Sequence, residues 1–212
     1  MTCSFSLFAL ALGWILWCTL HSVLISLTVS RRIQAVLGAY QFHFRLLYNM
    51  VAVLTLAVMM AATATLRGEV VFSWGGAWQA VRLIMIGLSL WLFRDGAKHY
   101  DLGYMLGVRQ IRQRRQQSLL SADAHFSRKG ALGVTRHPWY LGSLLFLWSV
   151  LPVYHQSSVV AATVLSVYLI VGTWLEERKL VAEYGERYRG YQREVSMLIP
   201  VKWLKKKLTG SR

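Results

Sequence analysis

Residues 5–29, FSLFALALGWILWCTLHSVLISLTV, carry no formal charge. This run constrains the fold more than any other feature. A helix needs about 20 apolar residues to cross the hydrocarbon core of a bilayer, and inside lipid only helices and closed barrels satisfy every backbone polar group. Four further apolar runs follow: Leu46–Leu66, the shorter Ala80–Phe93, Trp139–Tyr154 and Val159–Leu175. Arg82, near the start of the third run, is expected to snorkel toward the interface. The last two runs are so close that only a tight hairpin joins them, and Pro152 and His155–Ser158 have turn composition. The expected architecture is an all-α integral membrane protein of about five transmembrane helices plus a C-terminal cytoplasmic amphipathic helix. It forms one domain over residues 1–212: N-terminal helices over 1–97, a cytoplasmic connection over 98–135, and a helical hairpin with its tail over 136–200.

Charge patterning orients these spans. The chain has a net charge of +15, yet only 16% of its residues are charged against 55% hydrophobic. Lys and Arg are absent before the first run. Arg31, Arg32 and Arg45 follow it, Arg67 and Arg82 flank the next connection, nine lie in 94–136, none between the fourth and fifth runs, and ten after Leu175. Basic residues gather on the cytoplasmic side of membrane proteins, so the alternation predicts an outside N-terminus and a cytoplasmic C-terminus, in a bacterial inner membrane. It also accounts for the net charge without nucleic acid as a partner; the lipid bilayer is the expected one. The first run lacks a basic n-region before it and is too long for a cleaved signal. Cys3 and Cys18 would sit about 22 Å apart along one helix and cannot bridge. No metal-ligand spacing, Walker loop, GxGxxG or HExxH is present, so no metal site is expected.

Polar residues at the membrane boundary carry the functional signal. If the last two runs form a hairpin, Arg136 and His137 at the start of one and Glu176 and Glu177 at the end of the other share a membrane face. Pro138 suits a first helical turn, whose free N–H groups with Arg136 form an anion site; the two carboxylates form a cation site beside it. Adjacent acids facing anionic headgroups call for a cationic partner. A ligand bearing both an acid and an amine matches the pair, and Tyr140, Tyr184, Tyr188 and Tyr191 offer aromatic walls for a positive centre. Other polar positions are His21 in the first span, Arg45 and Asn49 one turn apart at the start of the second, and the stretch KHYDLGYMLGVRQIRQRRQ with His99, Asp101 and an arginine cluster at 109, 112, 114 and 115. That stretch reads either as a basic surface on anionic headgroups or as a loop covering a site.

RHPWYLG, followed at this distance by LEERKLVAEYGERYRGYQREVSMLIP, resembles the superfamily of isoprenylcysteine carboxyl methyltransferases and phospholipid methyltransferases. The shared pattern falls on Arg136, His137, Pro138, Tyr140, Gly142, Glu176, Glu177, Gly185, Tyr188, Tyr191 and Pro200. HSVL at 21–24 and HYDLGYMLGVRQ at 99–110 are similar to the branch holding bacterial methanethiol S-methyltransferases and NnrU-like proteins. The resemblance implies a methyltransferase with S-adenosylmethionine as cofactor and a small thiol or other lipophilic methyl acceptor; an isoprenylcysteine-type carboxylate or a lipid is also compatible. By analogy Arg136 and His137 meet the cofactor's carboxylate end, Glu176 or Glu177 its amine, and Tyr140, Tyr188 and Tyr191 line the pocket. Pro138, Leu141 and Gly142 then let the backbone come close. His137, Arg136 and Glu177 are the expected catalytic residues, and His21, Arg45, Asn49, His99, Asp101 and Arg109 the substrate candidates. Two other readings stay open. One is an NADPH-dependent membrane reductase of the sterol-reductase type, against which Trp139, Ser143 and the Glu176–Glu177 pair argue. The other is a non-catalytic membrane accessory protein.

Overall fold

The computed structural model describes residues 2–99, 101–114 and 128–210. Arg115 of the expected arginine cluster and most of the connection after it lie outside the described residues. The described chain is mostly helical: α1 (Thr2–Ile25), α2 (Leu27–Leu37), a 3-10 turn (Gly38–His43), α3 (Phe44–Thr65), α4 (Trp78–Ala97), α5 (Leu102–Leu106), α6 (Val108–Gln113), α7 (Ala131–Val134), α8 (Pro138–Ser149), α9 (Gln156–Tyr184), α10 (Glu186–Glu194) and α11 (Val201–Thr209). Two short strands, β1 (Val70–Ser73) and β2 (Val153–His155), pair antiparallel.

Among the described residues, three stretches are helical and apolar over enough length to cross a membrane: Phe5–Ile25, Leu27–Thr65 and Gln156–Tyr184. Their outward faces are apolar as well, with Phe5, Val53, Leu54, Val58 and Val167 all exposed. A surface this apolar is untenable in water and ordinary against lipid.

The contacts divide the chain into two compact units. The first holds Met1–Ser73, Tyr100–Ala122 and Val153–Leu165. In it α1 and α3 run antiparallel: Trp14 Nε1 donates to Thr63 Oγ1 at 3.0 Å and Trp17 Nε1 to Thr55 Oγ1 at 3.0 Å. Leu10, Trp14 and Ala161 form its core, with Leu56, Met59 and Leu165 packed against them. Indole N–H groups among apolar side chains need acceptors, and the two threonines supply them.

The second unit holds Trp74–His99, Asp123–Pro152 and Ser166–Arg212. Here α4 and α8 lie antiparallel and close, because small residues let their backbones approach. Ser89, fully buried, donates to Gly142 O at 2.8 Å, and Trp139 Nε1 donates to Phe93 O at 3.1 Å over Gly96. Along the other side of α8, Trp148 Nε1 donates to Ser166 Oγ at 3.0 Å, so α8 and the second half of α9 also run antiparallel.

α8 is shorter than its apolar run. Its 12 residues rise about 18 Å at 1.5 Å each, against about 30 Å of hydrocarbon. The helix stops at Ser149 because Pro152 bars its continuation, and residues 153–155 turn extended as β2. The carbonyls freed at this end are capped from α4: Arg82 donates to Ser149 O at 2.8 Å and to Val150 O at 3.0 Å. Arg82 therefore caps a helix terminus. The α4–α8 seam also generates a test. A Cβ on Gly96 would sit 2.4 Å from the Trp139 ring, and a ring held by its own hydrogen bond yields little. Gly96→Ala is expected to cost about 1–3 kcal/mol by overpacking, offset by up to about 1 kcal/mol of helix propensity. It should appear as a lower unfolding midpoint in detergent.

Candidate functional site

The segment Thr135–His137 is the pivot of the second unit. Its backbone lies along Ser196 as a parallel bridge, with Arg136 N donating to Ser196 O at 2.9 Å and Thr135 Oγ1 to Met197 O at 2.7 Å. His137 then becomes the N-cap of α8 and Pro138 its first residue, where a missing N–H costs nothing. On the facing helix, Glu177 follows the apolar part of α9. Past Tyr184 the chain must fold back, and Gly185 allows it at φ 53, a conformation strained for any residue with a Cβ. The return carries Tyr188, Tyr191 and Gln192 on α10.

Arg136, His137, Tyr188 and Gln192 meet at the carboxylate of Glu177. Arg136 grips Glu177 through both oxygens, Nε to Oε1 at 2.9 Å and Nη2 to Oε2 at 2.5 Å. His137 Nε2 lies 2.7 Å from Oε1, Tyr188 donates its hydroxyl to the same oxygen, and Gln192 Nε2 donates to Oε2 at 2.6 Å. The second amino group of Arg136 donates to the carbonyls of Gln192 and Val195. His137, Glu177 and Tyr188 are 3%, 6% and 1% exposed. Buried charges persist when paired and fully hydrogen-bonded, and here both conditions hold. Burial, and then the bond to Glu177, raise the Tyr188 phenol above its ordinary range, so it stays a donor.

The structure thus brings Arg136, His137, Glu177 and Tyr188 together as the sequence implies, but turned toward each other. The carboxylate with open access is Glu176, about a third exposed, with Oε2 4.0 Å from His137 Nδ1. The ring of His137 stands between two acids and meets Tyr140 edge-on at 5.6 Å. Tyr140 also packs beside Gly172 of α9. Tyr191, buried, donates to Leu132 O at 2.6 Å, and Gly142 faces Leu92 and Phe93 of α4. Both are spent on the unit's own packing. Leu141 lies in the first turn of α8, where its N–H bonds His137 O.

A cavity of about 410 Å³ opens beside the cluster, lined by Trp174, Glu177, Arg178, Val181, Ala182, Gln192 and Met197. Arg178 lies 4.9 Å over the Trp174 ring. Sequence reasoning missed Gln192, Arg178 and Trp174. Gln192 follows Tyr188 by four residues on one helical face, which is the signal that places it.

The remaining polar candidates divide between the units. In the first, His21 meets the Tyr48 hydroxyl at 2.9 Å and stacks on Trp17. Arg45 and Asn49 both donate to Met105 O, at 3.3 and 2.9 Å. Asp101 caps α5 by accepting from Tyr104 N and pairs with Arg109. Of the stretch read either as a basic surface or as a covering loop, residues 101–114 form two short helices held on the start of α3. In the second unit, His99 Nδ1 lies 3.1 Å from Asp95 O, and Asp95 accepts the Ala131 N–H at 2.6 Å, fixing the approach to Thr135. That bond, and then Lys98, hold the Asp95 carboxyl below its usual range. Among the described residues no cluster of His, Cys, Asp and Glu is placed to hold a metal.

The profile of the family described as "Protein of unknown function (DUF1295)" matches residues 6–195. Among curated proteins, a methanethiol S-methyltransferase of Pseudomonas deceptionensis is 42% identical over 78 residues, 37% of this chain and 29% of that protein. One of Crocosphaera subtropica is 35% identical over 102 residues, 48% of this chain and 38% of that protein. Methanethiol S-methyltransferase 2 of Bradyrhizobium diazoefficiens is 30% identical over 125 residues, 58% of this chain and 46% of that protein. The matched stretches thus span less than half the length of each of these relatives. No solved structure matches the chain. The family and the relatives agree with the resemblance carried by residues 130–200.

Two outcomes follow from this geometry. Glu177→Ala leaves Arg136 buried without a counter-charge and should cost about 3–5 kcal/mol of stability, read as a lower unfolding midpoint. The double variant Arg136→Met/Glu177→Leu should recover much of that loss. For Asp95 the lowered carboxyl binds a proton less readily folded than unfolded, so its stabilisation is complete above the ordinary range near pH ~4 and is lost as pH falls below it. The unfolding midpoint should drop less on acidification in Asp95→Asn than in the wild type.

Proposed function

The chain belongs to the DUF1295 family, and we propose that this member is a membrane methyltransferase that takes its methyl group from S-adenosylmethionine and passes it to a small thiol. The observation that carries the reading is the convergence of Arg136, His137, Glu176 and Glu177 at the facing ends of α8 and α9. The names of the relatives support the reaction class and the thiol. The residues fit the cofactor's chemistry: a cation in Arg178 and an aromatic face in Trp174 line a cavity of about 410 Å³, within the usual ligand range of about 300–1,000 Å³, and Glu176, outside that lining, is an accessible acid beside His137.

When bound, S-adenosylmethionine supplies an electrophilic methyl group on a sulfonium. Everything else falls to this chain's own residues. Arg178, in the cavity lining, would face the carboxylate, and Glu176, exposed beside His137 and outside that lining, would meet the ammonium. Trp174 offers its ring to positive charge. Glu177, saturated by four side chains, positions Arg136 and His137 and with them the first turn of α8. His137 is a positioning residue here, since its Nε2 is engaged and its ring enclosed. Methyl transfer is an in-line displacement, so alignment and exclusion of water do most of the work.

The reading includes five crossings, an outside N-terminus and a cytoplasmic C-terminus. α8 is the helical part of the fourth crossing, and Arg82 satisfies the carbonyls at its end.

Purified protein should be stabilised against heat by S-adenosylhomocysteine, and membranes carrying it should transfer a radiolabelled methyl group to methanethiol. Losing a hydrogen bond to a charged group is worth about 1.5–3 kcal/mol, so Glu176→Gln should weaken S-adenosylhomocysteine about 10- to 100-fold without lowering the unfolding midpoint of the free protein. Stabilisation by NADPH instead would overturn the assignment.

A further inference from the structure

The chain's last helix carries a face that suits a different ligand. In α11, Val201, Leu204 and Leu208 fall on one stripe at helical spacing and are 47%, 45% and 86% exposed. Lys205 and Lys207 flank this stripe and Lys206 extends the basic side, with Lys207 Nζ 6.0 Å from the Trp203 ring. α11 itself contains no Asp or Glu, so all the charge on this helix is positive. A short helix with a narrow apolar stripe bordered by lysines is built to lie in a headgroup layer.

Lys202 has a separate task. Its Nζ donates to Gln192 O at 2.6 Å and Arg193 O at 3.1 Å, capping the end of α10, and its N–H donates to Ser196 Oγ at 3.0 Å. Gln192 O also accepts from Arg136, and the Gln192 side chain holds Glu177. α11 is thereby joined, through one residue, to the buried carboxylate cluster.

We propose that α11 docks on the anionic phospholipid surface of the bilayer, and that this docking steadies the Arg136–Glu177 cluster. Val201, Leu204 and Leu208 enter the acyl boundary, and Lys205, Lys206 and Lys207 lie among the phosphates. The partner is a lipid leaflet because the stripe is three residues wide, the charge is of one sign, and the spans of the chain already lie in a bilayer. The inference rests on that membrane placement and not on methyl transfer.

The test uses the full chain in nanodiscs of phosphatidylcholine, with or without phosphatidylglycerol. A spin label is placed at Leu208→Cys in a Cys3→Ala, Cys18→Ala background. In phosphatidylglycerol discs the label should become accessible to lipid-soluble oxygen and shielded from a water-soluble nickel complex; in pure phosphatidylcholine it should stay nickel-accessible. Each lysine near an anionic surface contributes about 1 kcal/mol, so Lys205→Gln/Lys206→Gln/Lys207→Gln should lower the docked-to-free ratio about 100-fold. High salt should act in the same direction. Phosphatidylglycerol should also raise the unfolding midpoint of the wild type and not of the triple variant. Equal accessibility in both discs, a label shielded from both reagents as by a protein partner, or an unaltered response of the triple variant would each overturn the proposal. No readout requires the methyl donor, so a failure here is distinct from a failure of the proposed reaction.

Discussion

The second unit is organised around a single buried carboxylate. Glu177 sits on a long apolar helix, where an ionised acid is costly unless each of its oxygens is satisfied. Arg136 and His137, from the segment before α8, and Tyr188 and Gln192, from α10, supply those bonds. Each partner is thereby fixed in turn. Arg136 must run along Ser196, His137 must cap α8, and the chain after Tyr184 must reverse at Gly185. A charge that cannot be left alone acts as a geometric constraint on everything that answers it.

This arrangement separates two jobs that the sequence runs together. Glu176 and Glu177 are neighbours, yet successive helical residues point about 100° apart. One is enclosed and holds the fold of the unit; the other, beside His137, stays about a third exposed. The same economy appears elsewhere in polar groups beside apolar helices. Arg82 caps the end of α8, the two indoles of α1 find threonines on α3, and Arg45 with Asn49 closes on one carbonyl of α5. In a low-dielectric setting each unanswered polar group is expensive, so polar side chains are recruited to backbone ends.

Much of this is legible in the residues themselves. The apolar runs locate α1, α3 and the apolar part of α9, because burial in lipid leaves a compositional mark on every residue of a span. Pro138 marks the start of α8 through its fixed φ and missing N–H. The Arg136-His137 and Glu176-Glu177 pairs announce their meeting, since charges at a span's end require partners. Other features leave no such mark. Trp139–Tyr154 carries no charge along its length, yet the helix ends at Ser149, and hydropathy does not register where hydrogen bonding changes from helix to strand. Val70–Ser73 pairs with residues some eighty positions later, a distance at which local pattern is silent.

Local composition is enough to put the chain against lipid, mostly as helices, with a cationic and an acidic pair at the ends of two of them. Those properties are sums over neighbouring residues. Which acid is buried, that Tyr188, Tyr191 and Gly142 serve packing, and that Gln192 links the tail to the cluster are matters of three-dimensional packing. They depend on which atoms of distant residues fill the last few ångströms around a charge. The cost of an unpaired buried group selects that outcome, and no single stretch of sequence encodes it.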